Sequence, residues 1–113
     1  MTELPDNTKV ENWTNKIITF RDPVLDLSFD IPLEKGAPAY VYPKYVQKDG
    51  SRYITETIWS APDKALPARR PGVYLIVSKI VKIALPDRSD LVVPADIIKG
   101  LNDEPIACRR FTI

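Results

Sequence analysis

Histidine is absent from this 113-residue chain, and there is a single cysteine, Cys108. Without histidine, the chain has no His-dependent general base, no Ser-His-Asp triad and no His-ligated metal. A lone cysteine cannot form an internal disulfide, which is typical of a reducing compartment, and it disfavours a structural zinc site. We therefore expect no metal and no other cofactor.

Long apolar runs are also missing, and glycine is scarce. No run approaches the ~20 residues that a membrane helix needs, so we expect no membrane contact. The first residues, MTELPDNTK, lack the apolar core of a signal peptide. Four glycines against eleven prolines predict short segments with fixed connections rather than long helices. These features predict a cytoplasmic protein.

The charges nearly cancel, since 16 Lys and Arg stand against 15 Asp and Glu. A net charge of +1 gives no reason to expect nucleic acid as a partner. The length fits one domain. We predict residues 1–15 to be a loosely ordered arm, unless Val10 and Trp13 pack it down, and residues 16–113 to be a single β-rich domain.

The segment between Pro71 and Pro94 is the most apolar part of the chain. Eleven of the thirteen residues over 73–85 are uncharged, which predicts burial from both sides. Its first part reads as a central strand. Beyond it, β-branched residues suit a strand, but helical spacing, a cap at Ser78 and a stop at Pro86 favour a short helix near 78–85.

Asp49-Gly50 lies between two β-rich runs and predicts a β-hairpin over 40–59. A two-residue turn would pair Lys48 with Ser51 and place four aromatic residues on one face. That face is either the core side of the hairpin, a protein-binding patch or a platform for base stacking. The four aromatic residues, our candidate protein-binding residues, are Tyr40, Tyr42, Tyr53 and Trp59.

The fold class that we predict is α+β, mainly an antiparallel sheet with this hairpin and the one short helix. The stretch from Ser60 to Arg70 is rich in alanine and proline and is interpreted as a connection.

Arg88-Ser89-Asp90 interrupts the apolar segment and is the candidate ligand site. The Arg88 guanidinium would fork onto a phosphate or carboxylate, with Asp90 orienting it. The alternative is a structural turn in which the two residues pair locally. Arg109 or Arg110 would join Arg88 in an anion site, and strand alternation sends these two arginines to opposite faces. Cys108 reads as a buried thiol, because no histidine is present to activate it.

Three segments of the chain resemble a group of short, uncharacterised proteins of phages and prophages. They are a proline-bounded strand that ends in Val-Ser, an R-x-D-L-V-x-P motif and a terminal A-C-R-x-F. Here the matching residues are 71–78, 88–94 and 107–111, about half of the chain. The resemblance implies a compact accessory protein, in the host cytoplasm if a phage encodes it, and implies no chemistry.

The function that we expect is non-catalytic binding, not enzymatic activity. The first hypothesis is contact with a host protein through the aromatic hairpin, as an inhibitor that counters a host defence system. The second is a sponge that holds an anionic, nucleotide-like small molecule at Arg88, Asp90 and Arg109. The third is a minor virion or assembly component. An edge strand and a hairpin of this kind also invite a homodimer.

Overall fold

Nine strands and one helix are present in the computed structural model of the protein, which describes residues 1–62 and 66–113. Residues 63–65, in the predicted connection from Ser60 to Arg70, lie outside the described residues. In chain order the elements are β1 (Thr2–Glu3), β2 (Lys9–Asn12), β3 (Ile18–Arg21), β4 (Ser28–Ile31), β5 (Tyr42–Lys48), β6 (Ser51–Ser60), β7 (Val73–Ile76), α1 (Lys79–Ala84), β8 (Leu91–Lys99) and β9 (Pro105–Thr112).

Seven of these strands form one sheet in the order β1-β2-β7-β8-β9-β3-β4, and β5 pairs with β6 in a separate hairpin. The pairs β1/β2, β8/β9 and β3/β4 are antiparallel, whereas β2/β7, β7/β8 and β9/β3 are parallel. The predicted α+β class, with a hairpin and one short helix, is confirmed. The parallel pairs make the sheet mixed, and two of them, β2/β7 and β9/β3, join strands that are distant in sequence.

The large sheet curves until its two sides meet at Asn12. This residue forms a bridge with Leu33, just beyond β4, and its carbonyl accepts from the Glu34 N–H at 2.9 Å. The Asn12 side chain is fully buried and donates to the carbonyls of Lys16 at 2.9 Å and Ile31 at 3.0 Å. Strands β2, β7, β8, β9, β3 and β4 therefore surround a common interior, as in a small barrel.

Each of the six strands that surround this interior contributes apolar side chains to it. Phe20 of β3 is central. Its ring stacks on that of Phe111 of β9, with centroids 5.8 Å apart, and contacts the ring of Phe29 of β4, with centroids 5.4 Å apart. Burial of these side chains is the main favourable contribution to folding. The buried members of the interior are Val10, Ile18, Phe20, Ile31, Ile76, Val92 and Cys108.

A second apolar cluster covers the outer side of β7. Leu75 of β7 packs there with Leu91 of β8 and with Val81 of α1. Strand β7 is thus buried from both sides and lies in mid-sheet, as its apolar sequence predicts. The predicted helix is confirmed, since the Ser78 side chain accepts from the Val81 N–H at its start and Leu85 is its C-cap.

The N-terminal residues are part of the sheet. We predicted residues 1–15 to be loosely ordered unless Val10 and Trp13 pack them down, and both do. Val10 is buried in the interior, and Trp13 packs against the second cluster. In addition, β2 runs parallel to β7 along its whole length. Residues 9–13 therefore do not form a loosely ordered arm.

Candidate functional site

The β5–β6 hairpin turns at the predicted dipeptide. Asp49 and Gly50 have φ angles of 54° and 71°, the left-handed conformation that a type I′ turn requires at both central positions. Glycine reaches this conformation without strain and aspartate is one of the few side chains that tolerate it. The predicted pairing of Lys48 with Ser51 is also present.

Beyond this first pair, the predicted register of the hairpin is wrong. Tyr42 pairs with Ser60 and Tyr45 with Thr57, three residues away from the predicted partners on β6. The cause is an irregularity next to the turn, where the Ser51 hydroxyl accepts from the N–H groups of Tyr53 at 3.1 Å and Ile54 at 3.2 Å. These local bonds compete with cross-strand pairing, so β6 carries extra residues before the ladder resumes.

The observed register gives the hairpin two faces of different chemistry, because directly opposed residues share a face. The charged face includes the ion pair between Lys48 and Glu56, at 2.7 Å. The other, which we call the neutral face, contains no ionisable acid or base other than a tyrosine phenol. Its members are Pro43, Tyr45, Gln47, Thr55, Thr57 and Trp59.

The hairpin projects from the barrel and stays in solvent. Every residue of β5 is exposed, and on β6 only Ser51 and Trp59 are partly covered. Tyr45, in the middle of the neutral face, is 66% exposed. Strand β6 also contacts α1. Two-stranded hairpins are marginal in water by themselves, so large exposed side chains on this one are not explained by the stability of the fold.

The four predicted aromatic residues do not form one patch. Trp59 lies on the neutral face, whereas Tyr42 lies on the charged face. Tyr53 is in the irregular segment beside the turn, and Tyr40 precedes β5. The residue that sequence reasoning missed is Tyr45, which the wrong register had placed away from Trp59. The Asp49-Gly50 signal locates the turn, but it does not reveal the extra residues after Ser51.

Arg88 and Asp90 adopt the arrangement expected of a structural turn. The Arg88 Nε and one Nη donate to the two Asp90 carboxylate oxygens at 2.9 and 2.8 Å, and an Nη also donates to the Pro67 carbonyl at 2.9 Å. Both side chains are largely buried. The hydrogen bonds from Arg88 lower the pKa of Asp90 more than burial raises it, so this carboxylate is ionised.

Arg109 does not join Arg88. Arg109 and Arg110 both donate to the carboxylate of Asp96, each at 3.3 Å. Asp96 lies six residues beyond Asp90 along the chain. At ~3.3 Å per residue of strand, the two residues are roughly 20 Å apart, so the arginines that bind them form separate groups. The prediction that the two arginines lie on opposite faces fails because the backbone is irregular here. Asp96 has a φ of 52°, and Cys108 and Phe111 both pack against the interior.

The Cys108 thiol lies inside the barrel and is unreactive. It is 1% exposed, and burial away from water raises its pKa to about 11. Only the thiolate is a nucleophile or a metal ligand. The side chain therefore acts as a small apolar residue of the interior, in agreement with its sequence context.

One partly buried ion pair, between Arg70 and Glu11, was not expected from the sequence. Arg70 Nη1 donates to Glu11 at 3.2 Å, Arg70 Nη2 makes a second, shorter bond, and Trp13 Nε1 donates at 3.2 Å. Burial alone would raise the pKa of Glu11, but these hydrogen bonds and the Arg70 charge together lower it. The pair fixes the segment before β7 onto β2. No local sequence signal connects residues so distant in the chain.

Over residues 1–62 and 66–113, no group of three or more acidic or cysteine side chains is arranged to hold a metal ion. Within the same residues, no helix has the length and apolarity needed to cross a membrane. The chain matches no protein-family model, no curated protein and no solved structure. The candidate site therefore depends on its own geometry.

Proposed function

We propose that this chain is a non-catalytic binding protein that contacts a partner protein through the neutral face of its hairpin. The observation that carries the proposal is the projection of this face into solvent, with Tyr45 at its centre and Trp59 at its base. Tyrosine and tryptophan are enriched among residues that dominate protein–protein binding energy.

The chemistry of the face supports a protein rather than a charged small molecule as the partner. Tyrosine, threonine, glutamine and proline side chains offer apolar area and neutral hydrogen-bonding groups, and the ionic groups of the hairpin lie on the opposite face. Exclusion of charge from the centre of a contact is typical of protein interfaces. The partner surface that fits is therefore uncharged and largely apolar.

A non-catalytic role is supported by the reactive groups of the chain. Histidine is absent, and the Cys108 thiol is buried with a pKa of about 11. The resemblance to phage and prophage proteins makes a bacterial host factor, such as a defence enzyme, the class of partner that we propose. The site of action would then be the host cytoplasm.

Two tyrosine variants on the same strand provide a matched test. Tyr45→Ser alters the neutral face and Tyr42→Ser alters the charged face, and both side chains are more than half exposed, so both variants should fold. The bound protein would be captured from bacterial lysate with the wild-type chain, identified by mass spectrometry and purified. Its affinity for the three chains would then be measured by calorimetry.

We expect Tyr45→Ser to weaken binding about thirtyfold, the effect of losing one dominant contact of ~2 kcal/mol, with Tyr42→Ser close to wild type. The wild-type dissociation constant should also change little between low and high salt. Weakening by Tyr42→Ser alone would assign the contact to the charged face. Unchanged binding by both variants would exclude the hairpin as the docking element.

A further inference from the structure

A cavity of about 430 Å³ opens at one end of the barrel, where β3 and β9 end and β2 and β7 begin. This volume lies within the range of small-molecule sites, which occur commonly in the mouths of β-barrels. We call it the mouth cavity. Its apolar floor and wall are formed by Val10, Phe20, Tyr74, Val92 and Phe111.

The floor suits a flat apolar group. The rings of Phe20 and Phe111 are nearly parallel, with centroids 5.8 Å apart and an angle of 12° between their planes. Stacked rings present edges and faces to which a further aromatic ring packs well. The Tyr74 phenol stands on the wall with no hydrogen-bond partner among the described residues, so it is available to a bound molecule.

Two cations stand on the β9 side of the cavity. Arg109 donates to Asp96 through one Nη and Arg110 through its Nε, both at 3.3 Å. Each guanidinium carries five N–H donors. The remaining donors of both side chains have no other hydrogen-bond partner within residues 1–62 and 66–113, and their fork geometry suits a carboxylate.

Two carboxylates line the same cavity from other loops. One oxygen of Asp6 accepts from the Thr8 N–H at 3.0 Å, and one oxygen of Asp22 accepts from the N–H groups of Val24 and Leu25 at 2.7 and 2.8 Å. The second oxygen of Asp22 makes no hydrogen bond in the described structure. Asp6 also interacts with the Thr8 hydroxyl, and a carboxylate has further lone pairs for a bound cation. Hydrogen bonds from Thr8 lower the pKa of Asp6, which is therefore ionised.

We infer that the mouth cavity binds a zwitterionic small molecule with an aromatic body, of the aromatic α-amino-acid class. Its carboxylate would lie on Arg109 and Arg110, its ammonium on Asp6 or Asp22, and its ring on the phenylalanine floor. A ligand with only a negative charge would be repelled by the two carboxylates. A ligand with only a positive charge would be repelled by the two guanidinium groups. Only a ligand with both charges satisfies the whole rim. This inference is independent of the hairpin.

The test is a calorimetric titration of the full chain with L-phenylalanine and L-tryptophan. Three analogues each lack one feature: phenethylamine has no carboxylate, 3-phenylpropionate has no ammonium and L-alanine has no ring. We expect the aromatic amino acids to bind and each analogue to bind at least about tenfold more weakly. Equal affinity for one analogue, or no heat with any probe at millimolar concentration, would overturn the inference.

Variants then locate the site. Asp6→Asn keeps the acceptor for Thr8 and Arg109→Gln removes one exposed guanidinium, so both should fold and both should weaken amino-acid binding about tenfold. Lys99→Gln removes one positive charge from a residue that does not line the cavity and should leave affinity unchanged. Wild-type affinity in both cavity variants, with circular dichroism unchanged, would refute this location.

Discussion

Replacing Asn12 should open the barrel where its two sides meet. The side chain makes four hydrogen bonds: it donates to the carbonyls of Lys16 and Ile31 and accepts from the N–H and the hydroxyl of Thr14. Asn12→Ala removes all four. The bond to Ile31 is the buried one, and a buried carbonyl without its donor costs ~1–3 kcal/mol.

The other three bonds are partly accessible to water, so each contributes less, ~0.5 kcal/mol of net stability. We expect Asn12→Ala to lower the free energy of unfolding by about 3 kcal/mol. At ~4 °C per kcal/mol for a domain of this size, the melting temperature should fall by about 12 °C. Urea unfolding followed by circular dichroism measures the first quantity, and calorimetry measures the second.

Two further variants separate the hydrogen bonds from the loss of volume. Asn12→Asp keeps the size and the acceptor for Thr14 but cannot donate at neutral pH, so we expect it to be at least as destabilising as Asn12→Ala. Thr14→Ala removes one partly exposed hydroxyl and should cost less than ~1 kcal/mol. Wild-type stability of Asn12→Asp, or equal losses in Asn12→Ala and Thr14→Ala, would refute the reasoning.

Three more predictions concern other parts of the fold. Arg88→Met leaves Asp90 buried without its cation, and we expect a loss of about 3 kcal/mol at pH 7 in urea unfolding. Arg88 lowers the Asp90 pKa, so the ion pair contributes fully to the free energy of unfolding above the ordinary pKa of 3.8. This contribution is lost as the pH falls through the folded-state pKa, so the stabilities of wild type and variant should converge in acid. A pH-independent difference between the two would contradict this. Cys108 should react with a thiol reagent at pH 8 at least ~100-fold more slowly than in unfolded protein, in proportion to its thiolate fraction; equal rates would mean that the interior is open. Ser51→Ala should change global stability by less than ~1 kcal/mol but speed amide exchange at Tyr53 and Ile54, because their acceptor is lost; unchanged exchange would show that the hydroxyl does not hold the irregular segment.

Local signals in the sequence predicted the elements that depend on local physics. Asp49-Gly50 specifies the turn of the hairpin by its backbone conformation, and Ser78 with Pro86 delimits the helix. The apolar run around β7 predicted burial from both sides, which the interior and the second cluster provide. In each case the determining residues lie within a few positions of the element.

Elements that depend on distant partners were not predictable. The polar residues Glu11 and Asn12 make β2 resemble a surface strand, yet both side chains are buried. Arg70 neutralises the Glu11 carboxylate, and backbone groups satisfy the hydrogen bonds of the Asn12 amide. The candidate site shows the same limit. One serine hydroxyl changes the register, so Tyr45 rather than Tyr42 shares a face with Trp59.

The parallel pairing of β2 with β7 sets the order in which the chain can fold. The hairpin joins neighbouring strands, and such elements close in ~1–10 μs. Strand β2 must wait for β7, roughly 60 residues later, and closing so long a loop is entropically costly and slow. On a ribosome adding ~5–20 residues per second, the edge of β2 that pairs with β7 lacks its partner for several seconds. The exposed hairpin is thus available to a partner before the barrel is complete.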